Sequence, residues 1–226
     1  MRIVHAGGVE GARTARGTVV VIDVLRAFSV SAYALWAGAT ECRLVADLDE
    51  ARTLAARLDA ALSAEIEGLP IEGVPLSNSP TLVLGAGVRG RPLVQRTSAG
   101  TQGIVAAAGA DRLYAGSLVV ASATARAVLA ASSELLTLVA MGEDRGHPED
   151  RACALYLEGL VCGAGPDLER LLAPLRATPR YRELVEGRWP GFPASDVDLC
   201  LAADRFDFAM PVVRDELGPR LTAEAA

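Results

Sequence analysis

The sequence predicts an α/β protein: a three-layer sandwich with a largely parallel or mixed sheet, followed by a C-terminal helical extension. Two observations carry that prediction. From Thr18 to Cys162, short continuous apolar runs alternate with segments of helical period, the pattern of buried strands joined through helices that cover both faces of a sheet. From Gly163 onward the pattern turns polar and is broken by prolines at 166, 174, 179, 190 and 193, which reads as short helices with frequent stops.

Taken in order, "TVVVID" (Thr18 to Asp23) is an unbroken β-branched run and a buried strand. A small-residue helix follows over Ala27 to Ala37. Glu41 to Ala46 is the next strand, and Leu48 to Leu62 carries helical periodicity. Strand candidates Leu93 to Thr97, Arg112 to Ala115 and Leu135 to Ala140 alternate with helix candidates Gly100 to Ala108, Leu118 to Ala131 and Glu149 to Cys162. The segments "VIDVLRAFSVSAYALWAGA" and "LYAGSLVVASATARAVLAA" share a strand, a serine-bearing turn and an alanine-rich helix, which hints at a repeat. The expected organisation is an α/β core over residues 1–162, with residues 163–226 as a helical extension packed on the same domain.

Composition narrows the function. The 226 residues are 51% apolar, enough for a substantial core. No apolar run reaches the ~18 residues of a membrane span, and no basic-then-apolar leader precedes the first strand. The expectation is a cytoplasmic protein without membrane contact. Net charge is −6 and the isoelectric point about 5.1, so no basic field gathers nucleic acid. Cys42, Cys153, Cys162 and Cys200 form no CxxC pair and read as reduced thiols. All 22 basic residues are arginine. The absence of lysine excludes a Walker A phosphate lysine and every Schiff-base mechanism. Asn78, in "LSNSP", is the sole asparagine.

Four turns carry candidate chemistry. Asp23 ends a buried strand, where ligands of parallel α/β sheets bind. Arg26 and Ser29 follow at a helix start, where free N–H groups and the helix dipole favour an anion. In "RTSAGTQG", Thr97, Ser98 and Thr101 offer hydroxyls around Gly100, which lets backbone approach closely, a combination suited to a phosphate. Asn78 and Ser79 lie in "GVPLSNSP" and can donate to the same anion. In "GHPEDRACA", Glu149 and Asp150 open a helix; grouped with Asp23 and Glu65 they supply the hard oxygen ligands that Mg²⁺ prefers. By contrast, Gly85, Gly87 and Gly90 satisfy GxGxxG, yet Pro92 stands where the helix of a dinucleotide fold should begin. That segment reads as a loop. His5 reads as structural.

In order, "VVIDVLRAFS", "EIEG" with "GVPLSNSP", "TSAGT", "GSL" and "EDRACA" resemble the 2-phosphosulfolactate phosphatase family, over roughly Val19 to Leu160. The resemblance implies an α/β Mg²⁺-dependent phosphatase that removes phosphate from 2-phospho-3-sulfolactate in coenzyme M biosynthesis. It places Asp23, Arg26, Glu149 and Asp150 in catalysis, with Asp23, Glu65 and Asp150 at the metal, and it leaves open which carboxylate handles protons. Ser29, Asn78, Ser79, Thr97, Ser98, Gly100 and Thr101 surround the substrate. The expected partner is a small phosphorylated molecule, with a homodimer left open. Two positions depart from the family pattern: Ile66 stands for an arginine and Ala99 for an asparagine. They predict two lost anion contacts and a shift toward a less charged or differently shaped phosphomonoester, with phosphosulfolactate a poor substrate. The competing class is a non-catalytic binder of a phosphorylated or sulfonated metabolite.

Overall fold

The computed structural model describes residues 1–142 and 145–226. The first predicted strand forms as β2 (Thr18–Ile22), every residue buried. Its side chains alternate between two cores, Val19 and Val21 on one face and Val20 and Ile22 on the other, so helices cover both sides. On the first face lies α2 (Ala27–Trp36), buried from Ala27 to Leu35. A helix surrounded on all sides cannot carry a polar stripe, which accounts for its alanine, serine and aliphatic composition.

Around β2 the sheet is parallel. It pairs with β8 (Leu135–Ala140) and β7 (Arg112–Gly116), and β8 pairs with an edge strand β1 (Arg2–Gly7). The repeat hinted at in the sequence corresponds to two adjacent parallel strand-turn-helix units, β2–α2 and β7–α6 (Ala121–Ala130). A second parallel group is β3 (Cys42–Val45), β6 (Leu93–Arg96) and β4 (Ala61–Ile66). Helix α5 (Gly100–Ala106) touches both groups through β2 and β3. Helix α3 (Leu48–Leu58) covers β3 and β6 with Ala51, Leu54 and Ala55.

The C-terminal region is helical over α8 (Leu168–Arg176), α9 (Pro179–Val185) and α10 (Ser195–Leu201), as expected. Beyond them the chain returns to the sheet. Strand β9 (Phe208–Asp215) pairs antiparallel with β7, and β10 (Gly218–Leu221) pairs antiparallel with β9 and β3. These two strands join the parallel groups into one sheet, ordered β1-β8-β2-β7-β9-β10-β3-β6-β4-β5, with β5 at Leu69–Pro70. Sequence periodicity missed them because Pro211 interrupts β9 and charged residues fill the turn to β10.

The helix expected to run to Leu62 stops earlier. Asp59 takes a left-handed conformation, φ 48°, at the end of α3, and residues from Ala61 enter β4. Alanine on both sides of that turn hid the boundary.

Candidate active site

A cleft of about 310 Å³ opens beyond the carboxyl ends of β2, β4, β6 and β8. Asp23, Glu65, Asn78, Ser98 and Asp150 line it, together with Arg26, Arg145, His147, Arg180, Trp189 and Phe192.

Asp23 is the first residue past β2. Its Oδ1 accepts from Ala27 N at 3.0 Å, so the carboxylate caps α2 although it stands outside the helix. Burial, together with the negative charges of Glu65 and Glu149, pushes its pKa up to about 6. The start of α5 presses against it: a Cβ on Gly100 would lie 2.8 Å from Asp23 Oδ2 and 2.7 Å from Ala27 Cβ. Only glycine allows that approach.

Asp150, on the first turn of α7 (Pro148–Val161), binds two strand ends together. Its Oδ1 accepts from Val24 N at 2.7 Å and its Oδ2 from Gly142 N at 2.8 Å. Burial raises its pKa well above the usual carboxylate range, and Asp23 and Glu149 raise it further. Glu149 is fully buried. Its Oε1 accepts from Arg180 Nη1 at 2.8 Å, while its Oε2 has no hydrogen-bond partner among the described residues. Burial raises this pKa also, against the pull of Arg180. Glu65, at the end of β4, receives Ser98 N at 2.6 Å and Gly68 N at 2.5 Å.

Among the described residues no three His, Cys, Asp or Glu side chains form a ready cation cage. The donor chemistry nevertheless suits a hard divalent ion. Burial raises the pKa of Asp23, Glu149 and Asp150, the charge of Glu149 raises both aspartates further, and one buried carboxylate oxygen lacks a partner among the described residues. Mg²⁺ commonly takes only one or two protein carboxylates and completes its shell with phosphate oxygens and water.

The remaining sequence candidates divide. Ser98 and Asn78 line the cleft. Asn78 adopts φ 58° and its Oδ1 accepts from Gln95 Nε2 at 2.9 Å, which leaves its amide NH₂ as the end available to a ligand. Ser29, Ser79, Thr97, Gly100 and Thr101 do not line the cleft. Ser29 Oγ lies 2.6 Å from Ser117 Oγ and donates to Val24 O. Ser79 caps α4 (Pro80–Gly85) through Leu82 N and donates to Asp196 Oδ1 at 2.8 Å. Thr97 and Thr101 bond each other across the turn into α5. These hydroxyls shape the turns that present Asp23 and Ser98. Arg26 reaches the cleft edge but is heavily engaged. Nη1 donates to Asp196 Oδ2 (2.8 Å) and Gly191 O (2.9 Å), Nη2 to Ser77 O (3.1 Å), and the guanidinium lies 4.1 Å from the Phe192 ring centre.

Sequence reasoning gave no role to Asp196, Gln95, Arg145, His147, Arg180, Trp189 and Phe192. Burial, then Arg180 and Arg145, lowers the His147 pKa to about 4, so its ring is neutral at pH 7. One signal was readable: aromatic residues are 4% of the chain, yet "WPGFP" (residues 189–193) holds two in five.

Similarity to known proteins agrees with this geometry. The profile described as 2-phosphosulpholactate phosphatase matches residues 6–214. A protein of Bacillus subtilis (strain 168) named probable 2-phosphosulfolactate phosphatase is 32% identical over 207 residues, covering 87% of each chain. A protein of the same name from Caldanaerobacter subterraneus subsp. tengcongensis is 31% identical over 208 residues, 84% of this chain and 85% of its own. Another, from Symbiobacterium thermophilum, is 36% identical over 151 residues, 66% and 64%.

Proposed function

Since the chain belongs to the 2-phosphosulpholactate phosphatase family, we propose that it hydrolyses the phosphate ester of 2-phosphosulfolactate, or of a closely related phosphorylated 2-hydroxy acid, with Mg²⁺ as cofactor. The observation that carries this reading is the group of buried carboxylates beyond the strand ends, in a cleft that arginines also line and that is sized for a small metabolite. Phosphoryl transfer requires positioning and charge neutralisation more than covalent chemistry. That geometry supplies both.

In this reading Asp23 stands nearest the reacting phosphorus and takes the proton of the attacking water. The water oxygen forms the new P–O bond, the ester P–O bond breaks with its electron pair on the alcohol oxygen, that oxygen takes a proton from solvent, and Asp23 returns its proton to solvent. The amide of Asn78 and the Ser98 hydroxyl orient phosphate oxygens. Asp150 positions the ends of β2 and β8 on which Asp23 depends, and Arg26 holds the turn after β2 in place. Mg²⁺, held by Asp23 with Asp150, Glu65 or the unpartnered oxygen of Glu149, would neutralise the phosphoryl oxygens. On this reading the reaction belongs to coenzyme M biosynthesis and takes place in the cytoplasm.

Phosphate release from 2-phosphosulfolactate by the purified protein, with Mg²⁺ and with excess chelator, tests the reading. Turnover abolished by chelator is expected. Saturable thermal stabilisation by the ligand without phosphate release would instead mark a binder, and full turnover in chelator would remove the metal from the scheme.

A further inference from the structure

The cleft arginines differ in how many of their donors are already used. Arg26 makes three hydrogen bonds and is 4% exposed. Arg145 divides its two terminal nitrogens between Glu67 Oε2 and Ser98 O. Arg180 makes a single hydrogen bond among the described residues, from Nη1 to Glu149, and its side chain is 21% exposed on the cleft. A guanidinium has five N–H donors in a fixed fork, so Arg180 retains most of its capacity for an anion. Trp189 stands on the same wall. Its indole Nε1 would lie 3.5 Å from a Cβ on Gly68, and no hydrogen bond from it to a described residue is made within the fold.

Both side chains come from the C-terminal helical segment, and their placement is built in. Thr178 caps α9 by accepting from Tyr181 N, which fixes Arg180 on the first turn. Leu184, Phe192 and Val197 pack together beneath Trp189. Gly191 O receives Arg26 Nη1 and Ser77 Oγ, which pins the 189–193 loop to the core.

Resting on the phosphatase reading above, we propose that Arg180 and Trp189 form the specificity wall of the cleft and bind the acidic group of the substrate that is not transferred. The Asp23 end of the cleft receives the phosphoryl group. The wall that carries Arg180 and Trp189 then meets a carboxylate or sulfonate two or three bonds from the ester oxygen, with the Arg180 fork as its charge partner and the indole N–H as a further donor. Isopropyl phosphate, which shares the carbon frame but has no second acid, gains nothing from this wall.

Two measurements test it. The first is the ratio of kcat/KM for 2-phosphosulfolactate to that for isopropyl phosphate, in wild type, Arg180→Lys and Trp189→Phe. Arg180→Lys keeps a cation beside Glu149 and loses the planar fork; Trp189→Phe keeps a ring and loses the N–H. The expected result is a fall in the ratio of about tenfold or more for Arg180→Lys and a smaller fall for Trp189→Phe, expressed mainly in KM. A purely structural role lowers both rates together and leaves the ratio unchanged, which would overturn the proposal. The second uses the Trp36→Phe protein, in which Trp189 is the single tryptophan, titrated with 3-sulfolactate. Saturable change in Trp189 emission, weakened by Arg180→Lys, is expected even if no phosphate ester is turned over; in that event the wall stands and the phosphatase reading fails. An emission that does not respond overturns the wall.

Discussion

Arg26 and Asp196 are both almost fully buried and 2.8 Å apart, and their contact determines what the turn after β2 can do. Desolvating such a pair costs nearly what the attraction returns, but removing one partner strands the other charge, at about 3–5 kcal/mol. Asp196 also receives Ser79 Oγ and Thr81 N, so it joins the turn after β2, the start of α4 and α10. Asp196→Ala is therefore expected to destabilise the protein by about 3–5 kcal/mol in denaturant titration and to lower activity by releasing Arg26. An unchanged midpoint would show that the pair is dispensable. At this scale the sequence was half legible. Asp23 and Asn78 stood out because a carboxylate ended an apolar run and because one asparagine occurs in the chain. Asp196 and Arg180 gave no sign, since an acid or arginine near a proline-started helix looks like an ordinary cap and only distant burial reveals its partner.

Among the elements, α2 and α5 begin at the two turns that present Asp23 and Ser98, and they nearly touch through Ala27 and Gly100. Gly100→Ala places a methyl 2.7 Å from Ala27 Cβ and 2.8 Å from Asp23 Oδ2. Displacement of α5 is expected, with a loss of about 1–3 kcal/mol and a larger fractional loss in kcat than in stability. Equal rates for Gly100→Ala and wild type would mean that the turn yields without moving Asp23. The five predicted strands and five predicted helices each correspond to an observed element, because apolar runs and helical periods are local properties. What escaped was decided at a distance. Strand β1 is half exposed and gains its order from β8, and β9 and β10 become strands because they find β7 and β3.

The whole molecule depends on that last pairing. Arg43 donates to Glu41 and Asp215 at 2.6 Å each where β10 meets β3, and the two parallel groups have β9 and β10 between them. A chain cut after Cys162 would expose the facing edges of β7 and β3, lose Arg180 and Trp189 from the cleft and leave Arg26 without Asp196. The expectation is that residues 1–162 alone show no cooperative thermal transition; a sharp transition would establish them as an independent folding unit. The cut would remove Arg180, Leu184, Trp189 and Phe192 from the cleft lining, a part of the wall that the family resemblance, read over Val19 to Leu160, did not include. The expected loss of anion contacts at Ile66 and Ala99 also looks different at this scale. Ile66 is 47% exposed and outside the cleft lining, Ala99 is on it, and Arg145 and Arg180 bring positive charge from elsewhere in the chain.

The reactive centre itself is most directly tested by Asp23→Asn. An acid whose folded pKa is raised to about 6 from 3.8 holds its proton longer folded than unfolded, so its effect on stability is neutral below the unfolded pKa of 3.8, grows into a cost as pH rises from there to about 6, and is a full, constant cost above that. A shift of that size corresponds to at most about 3 kcal/mol. Asparagine removes the charge and keeps an acceptor for Ala27 N. The predicted result is a kcat/KM for 2-phosphosulfolactate at least about a thousandfold below wild type, together with a melting temperature equal to wild type near pH 4 and higher than wild type at pH 7.5. A variant that keeps most of its rate, or one that loses rate because it melts below the assay temperature, would contradict the placement of Asp23 at the reacting phosphate.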